Sequence, residues 1–168
     1  MPRLHYRSFA VATHLLLALA LLLPGLASAA EEPAARPVIP AAEFRLADHA
    51  GKVVALDFWA SWCKPCKLSM PWLSKLQRTY AEQGLQVVAI SVDTDEAAMR
   101  SRLADLDPGI IVVFDPKGEL AAQYKLEGMP TTFLVDRAGK PAGSHVGYLE
   151  KEADTREAEI AALLKEGR

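Results

Sequence analysis

The sequence predicts an α/β fold in three layers, with a central mixed sheet flanked by helices. Apolar runs of strand length alternate with helical periods through most of the chain, and such alternation calls for parallel pairing, because parallel neighbours need long connections. The run Val53–Trp59 is apolar but for Asp57, the pattern of a strand covered on both faces. Near the C-terminus, Thr131–Val135 and Ala142–Val146 are separated by Asp136-Arg137-Ala138-Gly139, which predicts a hairpin and adds an antiparallel part to the sheet.

The elements follow in chain order. Arg3, His5 and Arg7 precede an apolar stretch from Phe9 to Leu23, and small residues fill positions 27–30, so residues 1–30 have the order of a secretory signal peptide. The stretch is about 15 residues long, short of the roughly 20 that cross a bilayer, so cleavage is expected, with an uncleaved anchor over residues 9–23 as the rival. Residues 31–42 contain Pro33, Pro37 and Pro40 and no apolar period, and are expected to be a linker. One domain is then expected over residues 43–168, since 168 residues suffice for one core and hardly for two.

Within the domain, Phe44–Leu46 is expected as a short strand and Val53–Trp59 as a buried central one. Met70, Leu73, Leu76 and Tyr80 recur at helical spacing after Cys66, with Gly84 as a C-terminal cap and Pro71 inside a continuing, kinked helix. A strand is predicted over Leu85–Val92 and a helix over Glu96–Leu106, with Met99, Leu103 and Leu106 on one stripe. Ile110–Phe114 is a third strand and Glu119–Tyr124 a short helix. The last helix is expected to start in a capping box at Asp154-Thr155-Arg156-Glu157, to bury Ile160, Leu163 and Leu164, and to stop at Gly167.

The chemistry concentrates in Trp62-Cys63-Lys64-Pro65-Cys66. A disulfide there closes only two intervening residues and constrains the unfolded chain little, which disfavours a purely structural bridge. At a strand-to-helix junction, free backbone N–H groups and the helix dipole favour a negative sulfur on Cys63; Lys64 adds positive charge, and Pro65 suits a first helical turn. Cys66, one turn on, can attack the mixed disulfide that Cys63 forms and release the partner. Asp57 interrupts the central strand six residues before Cys63. Burial there would raise its proton affinity and suit it to accept the proton of Cys66, while an edge position or a structural hydrogen bond is the alternative. Trp59 and Met99 are assigned to the core, and Trp62 to shielding the nucleophile or contacting a partner.

The run from Val54 to Lys67 resembles the active-site segment of thioredoxins. Pro71 falls where that family has its kink proline and Asp57 where many members keep a buried aspartate, while Gly128-Met129-Pro130-Thr131-Thr132-Phe133 resembles the loop with the cis-proline. The resemblance implies a thioredoxin-like fold, with Pro130 packed over the cysteine pair and Met129 offering backbone hydrogen bonds to an extended substrate segment. The putting together of an export signal with an extra strand and helix before Thr131 is similar to the TlpA/ResA branch. That implies reduction of particular disulfides in the bacterial cell envelope, of the cytochrome c maturation or oxidase copper-site assembly type, with recharging by a membrane thiol reductant. Asp57 departs from that branch, where an asparagine or another residue is frequent, so its catalytic role does not carry over with the resemblance, and the stretch before Val53 is shorter than the branch's usual N-terminal hairpin.

The expected function is therefore a periplasmic thiol-disulfide oxidoreductase, acting as a monomer on protein disulfides, with no cofactor beyond its own Cys63-Cys66 pair. Three rivals stay open: a disulfide oxidant or isomerase, a thiol peroxidase, and a metal carrier adding His49 or His145 to the cysteines. A net charge of −2, from 19 basic and 21 acidic residues mixed along the chain, argues against nucleic acid as a partner.

Overall fold

In the computed structural model, residues 36–166 are described. The signal segment expected over residues 1–30, the first part of the expected linker, and Gly167 lie outside them.

Ten elements follow one another: β1 Ile39–Pro40, β2 Val53–Trp59, α1 Lys64–Tyr80, β3 Leu85–Ser91, α2 Glu96–Arg100, β4 Ile111–Phe114, α3 Glu119–Gln123, β5 Thr131–Val135, β6 Pro141–Val146 and α4 Ala153–Lys165. The six strands form one sheet in the order β1-β4-β3-β2-β5-β6. The pairs on the β1 side of β2 are parallel, while β5 and β6 are antiparallel to their neighbours, so the sheet is mixed as expected.

Both faces are covered. Val53, Ala55 and Trp59 of β2 pack with Met70, Leu73 and Leu76 of α1, Met99 of α2, and Ile160 and Leu164 of α4. Val54, Leu56 and Phe58 face the opposite way, toward Phe44, Leu120 and the half-buried Tyr124 and Phe133. The strand's period of two therefore puts Asp57 on the α1 and α4 face, where both cysteines also lie. Among the described residues, no helix is long and apolar enough to cross a membrane.

Four local expectations are corrected. Residues 36–42 are part of the fold: Ile39 and Pro40 pair with Val113 and Phe114, and the Arg36 guanidinium donates to the carbonyls of Leu103, Leu106, Asp107 and Ile110. A proline is tolerated there because β1 is an edge strand. Phe44–Leu46 is no strand; Phe44 and Arg45 link two short 3-10 turns, the second of which begins at Leu46, and Phe44 is buried with its ring against His49. The helix expected to reach Leu106 stops at Arg100 and resumes as a 3-10 turn over Leu103–Asp105. Arg36 takes the carbonyls of Leu103 and Leu106, and Pro108 excludes helical backbone at Asp107, yet Met99, Leu103 and Leu106 all stay buried. Finally, α4 begins at Ala153 after a 3-10 turn over Glu150–Glu152, and its N-cap Glu152 makes no side-chain capping bond. Asp154 therefore lies inside the helix, and Glu157 accepts from Lys75 at 2.8 Å and from Tyr80 at 3.0 Å, so the expected capping box does not form.

Candidate active site

β2 runs apolar to Trp59 and then leaves the sheet through a turn in which Cys63 N–H donates to Ala60 O at 3.1 Å. Cys63 is the N-cap of α1, Pro65 lies in the first helical turn, and Pro71 is accommodated inside a helix that continues to Tyr80. The left-handed Gly84, after a short 3-10 turn, closes the segment before β3.

Cys63 and Cys66 are joined by a disulfide, with their Cα atoms 5.3 Å apart. The Cys63 sulfur also accepts from Cys66 N–H at 3.3 Å, as an N-cap acceptor would, so it sits where the helix offers its unpaired donors. Cys63 retains 5% exposure and Cys66 none, so Cys63 is the less buried of the pair. Lys64 and Pro65 are exposed beside it, and Trp62 is 65% exposed on the same turn. Trp59, by contrast, is core, as expected.

The Met129-Pro130 peptide bond is cis. Pro130 is buried, and Met129 packs against the same cluster that contains both cysteines. Gly147 N–H donates to Pro130 O at 2.7 Å, tying the proline loop to the end of β6, where Val146 stands exposed beside Gly128.

Asp57 is 1% exposed and its Oδ1 accepts from Thr132 Oγ1 at 2.7 Å across the β2/β5 pair. Oδ2 is buried with no hydrogen-bond partner among the described residues. Burial pushes the Asp57 carboxyl from 3.8 up to about 7, against the hydrogen bond from Thr132 and the charge of Arg156, which both pull it down. Such a group exchanges a proton near neutral pH.

Two of the groups around Asp57 carry no local sequence signal. Thr132 belongs to an ordinary strand pattern, and Arg156 is buried on α4, where its guanidinium donates to Gly147 O and Glu152 Oε2. Ser91 at the end of β3 and Asp93 just beyond it likewise carry no local signal, though the carboxyl ends of parallel strands are where α/β folds gather functional side chains. The candidate metal ligands go elsewhere: His145 Nε2 lies 2.7 Å from Glu159 Oε2, and His49 stacks on Phe44. Among the described residues, no group of three or more His, Cys, Asp or Glu is arranged to hold a metal ion.

Comparison with known proteins places these features in a family context. The redoxin family model matches residues 39–164. The thiol-disulfide oxidoreductase ResA of Bacillus thuringiensis subsp. konkukian is 34% identical over 110 residues, covering 66% of this chain and 64% of ResA, so the chain spans a little under two thirds of that relative's length. Among solved structures, a protein assigned as the thiol:disulfide interchange protein DsbE from Chlorobium tepidum is 43% identical with a TM-score of 0.69, over 72% of this chain and 86% of the other. The exposed lipoprotein thioredoxin Etrx1 of Streptococcus pneumoniae is 31% identical with a TM-score of 0.56, over 67% and 87% of the two chains.

Proposed function

The chain belongs to the redoxin family, in its thioredoxin-like, ResA-type group, and from that premise we propose that it is a protein-disulfide reductase of the bacterial cell envelope. The observation that carries this reading is the Cys63-Cys66 disulfide at the N-terminus of α1, with Cys63, the less buried of the two, as the N-cap residue.

In the reduced protein the Cys63 thiolate attacks one sulfur of a partner's disulfide, forming a mixed disulfide and expelling the partner's other sulfur as a thiolate. Cys66 then loses its proton and attacks the Cys63 sulfur. The partner leaves with two thiols, and the chain is left with the Cys63-Cys66 disulfide. Asp57, on the same face of the sheet and near half-protonation at neutral pH, is the proposed acceptor of the Cys66 proton. Lys64 and the α1 N-terminus favour the Cys63 thiolate, and Pro65 shapes the first turn. Trp62 offers apolar contact to the partner, while Met129 and Pro130 receive an extended segment of it. No cofactor is needed beyond the cysteine pair.

Two electrons must return from outside, and a membrane thiol reductant is the proposed source. Residues 1–30 act as the export signal in this reading and the mature chain works as a periplasmic monomer, serving clients of the cytochrome c maturation or oxidase copper-site type.

Cys66→Ser expressed in the envelope tests the reading. It should accumulate a mixed disulfide through Cys63 with a small set of exported proteins, which dithiothreitol releases. No such adduct, or a reduction potential well above that of the compartment, would sink the reductase reading, the latter in favour of an oxidant.

A further inference from the structure

Asp93 follows β3 with one residue between, at the end of the sheet where the cysteine turn leaves it, and its carboxylate is spent on that turn. Oδ2 accepts from the backbone N–H of Ser61 at 2.9 Å and from Ser91 Oγ at 2.8 Å, and Oδ1 accepts from Ser61 Oγ at 2.8 Å. All three donors are neutral, and Asp93 is 2% exposed. A carboxylate tolerates such burial when its oxygens are hydrogen-bonded, and these bonds hold Ser61 by both its backbone and its side chain.

Ser61 is the second residue of the turn that Cys63 N–H closes on Ala60 O. Just before it, the β2/β3 ladder ends with Val92 N–H donating to Trp59 O at 2.9 Å. The Asp93 carboxylate thus continues the pairing one step beyond the last ladder bond, in the segment that carries Trp62 and Cys63.

In the oxidised protein the Cys63-Cys66 ring itself restrains this turn. When the disulfide opens that restraint is lost, and the turn is left with its own bond from Cys63 N–H to Ala60 O, the bond from Cys66 N–H to the Cys63 sulfur, and the hydrogen bonds to Asp93, which alone tie it to β3 through a side chain. We propose that Asp93 is the positioning residue of the cysteine pair, its carboxylate holding the Ala60–Cys63 turn so that the Cys63 sulfur stays over the first turn of α1 in the reduced state. The proposal rests on the disulfide-exchange reading above and adds to it the residue that keeps the open pair ready.

A general structural role would weaken both redox states alike; a positioning role falls on the reduced state. Asp93→Asn separates charge from geometry, because the amide oxygen can occupy the place of Oδ2 while its NH2 donates to Ser61 Oγ. The probe is glutathione: the chain's disulfide and two glutathione thiols exchange with the chain's dithiol and one glutathione disulfide, so the equilibrium constant reads the two states against each other. Asp93→Ala should shift that equilibrium toward the chain's disulfide by tenfold or more and slow iodoacetamide alkylation of Cys63 at pH 7 by a similar factor. Asp93→Asn should stay within threefold of wild type in both. Ser91→Ala, which removes one donor to Oδ2 and the acceptor of the Asp93 N–H but leaves both bonds to Ser61, is the second variant should Asp93→Ala not fold, and should move both readouts two- to fivefold in the same direction.

The proposal is overturned if Asp93→Ala, or Ser91→Ala in its place, lowers the melting temperature of both redox forms equally with the glutathione equilibrium and alkylation unmoved. It is equally overturned if Asp93→Asn departs as far as Asp93→Ala, since charge would then be the cause. Neither measurement needs a client, so a failure of Cys66→Ser to trap one would sink the reductase reading while leaving this test intact.

Discussion

Asp57→Asn should stabilise the oxidised protein at pH 8 by about 4 kcal/mol more than at pH 4. The substitution keeps an oxygen to accept from Thr132 Oγ1, now at 2.7 Å, and exchanges one polar atom for another at the partnerless Oδ2 position. What changes is the ability to ionise. The Asp57 carboxyl is raised from 3.8 to about 7 by burial, and each tenfold change in proton affinity is worth about 1.4 kcal/mol, which gives the figure of about 4 kcal/mol.

The sign follows from which state holds the proton. Below pH 3.8 Asp57 is protonated in both the folded and unfolded wild type, so it adds no pH dependence. Between 3.8 and about 7 the unfolded chain releases the proton and the native one keeps it, and wild-type stability falls by about 1.4 kcal/mol per pH unit. Above about 7 the native carboxyl ionises too and the loss levels off. The assay is urea unfolding of both disulfide-intact proteins at half-unit intervals from pH 4 to 8.5, plotted as variant minus wild type. The other titrating groups, shared by both proteins, drop out of that difference. A flat difference curve would refute the reasoning, as would one that falls with pH, because either means that the native carboxylate is not disfavoured. The same variant should lose any inflection near pH 7 in the rate at which Cys66 resolves a mixed disulfide.

Trp62→Ala should leave stability within about 0.5 kcal/mol, since the side chain is 65% exposed, while raising KM for a protein disulfide several-fold; an unchanged KM would remove Trp62 from the docking surface. Gly84→Ala should destabilise by about 1–3 kcal/mol in chemical denaturation, because Gly84 has a φ of +98° and an added Cβ would lie 2.7 Å from Arg137 Nη1, whose guanidinium binds the carbonyls of Gly51, Gln83 and Leu164. A variant as stable as wild type would show that Arg137 moves aside without cost. Arg36→Ala should cost about 2 kcal/mol by the same measurement, through four carbonyls that lose a charged donor, and it should speed hydrogen exchange across β4; wild-type exchange there would return residues 36–42 to the status of a linker.

Much of the fold was legible because burial leaves a periodic trace. Val53–Trp59 shows as a continuous apolar run because both its faces are covered, and Asp57 stood out for breaking that run. The cysteine pair was legible for a similar reason: its spacing and its place after a strand are local facts. What escaped shares a different cause. β1 is two residues long and is secured by Arg36 reaching carbonyls 67 to 74 residues away. The stripe Met99, Leu103 and Leu106 was visible, yet the break in its helix was not, since the break follows from who takes the carbonyls of Leu103 and Leu106.

The same holds at the active site, and there it bears on mechanism. Asp93 is one acid among many after a strand until Ser61, 32 residues earlier, is placed against it. Arg156 looks like a surface charge of an amphipathic helix until its guanidinium is found on the carbonyl of Gly147, the same residue whose N–H holds Pro130 O. Apolar periodicity records which side chains leave water, and it is silent on which polar side chains satisfy the backbone of distant segments. In this chain those side chains join the elements that the proposed reaction needs together: Asp93 the cysteine turn to β3, Arg156 the proline loop to α4. The sequence motif supplies the two sulfurs, but the geometry in which one attacks and the other resolves depends on polar groups that no local pattern marks, and substitutions there should alter redox behaviour before they alter the fold.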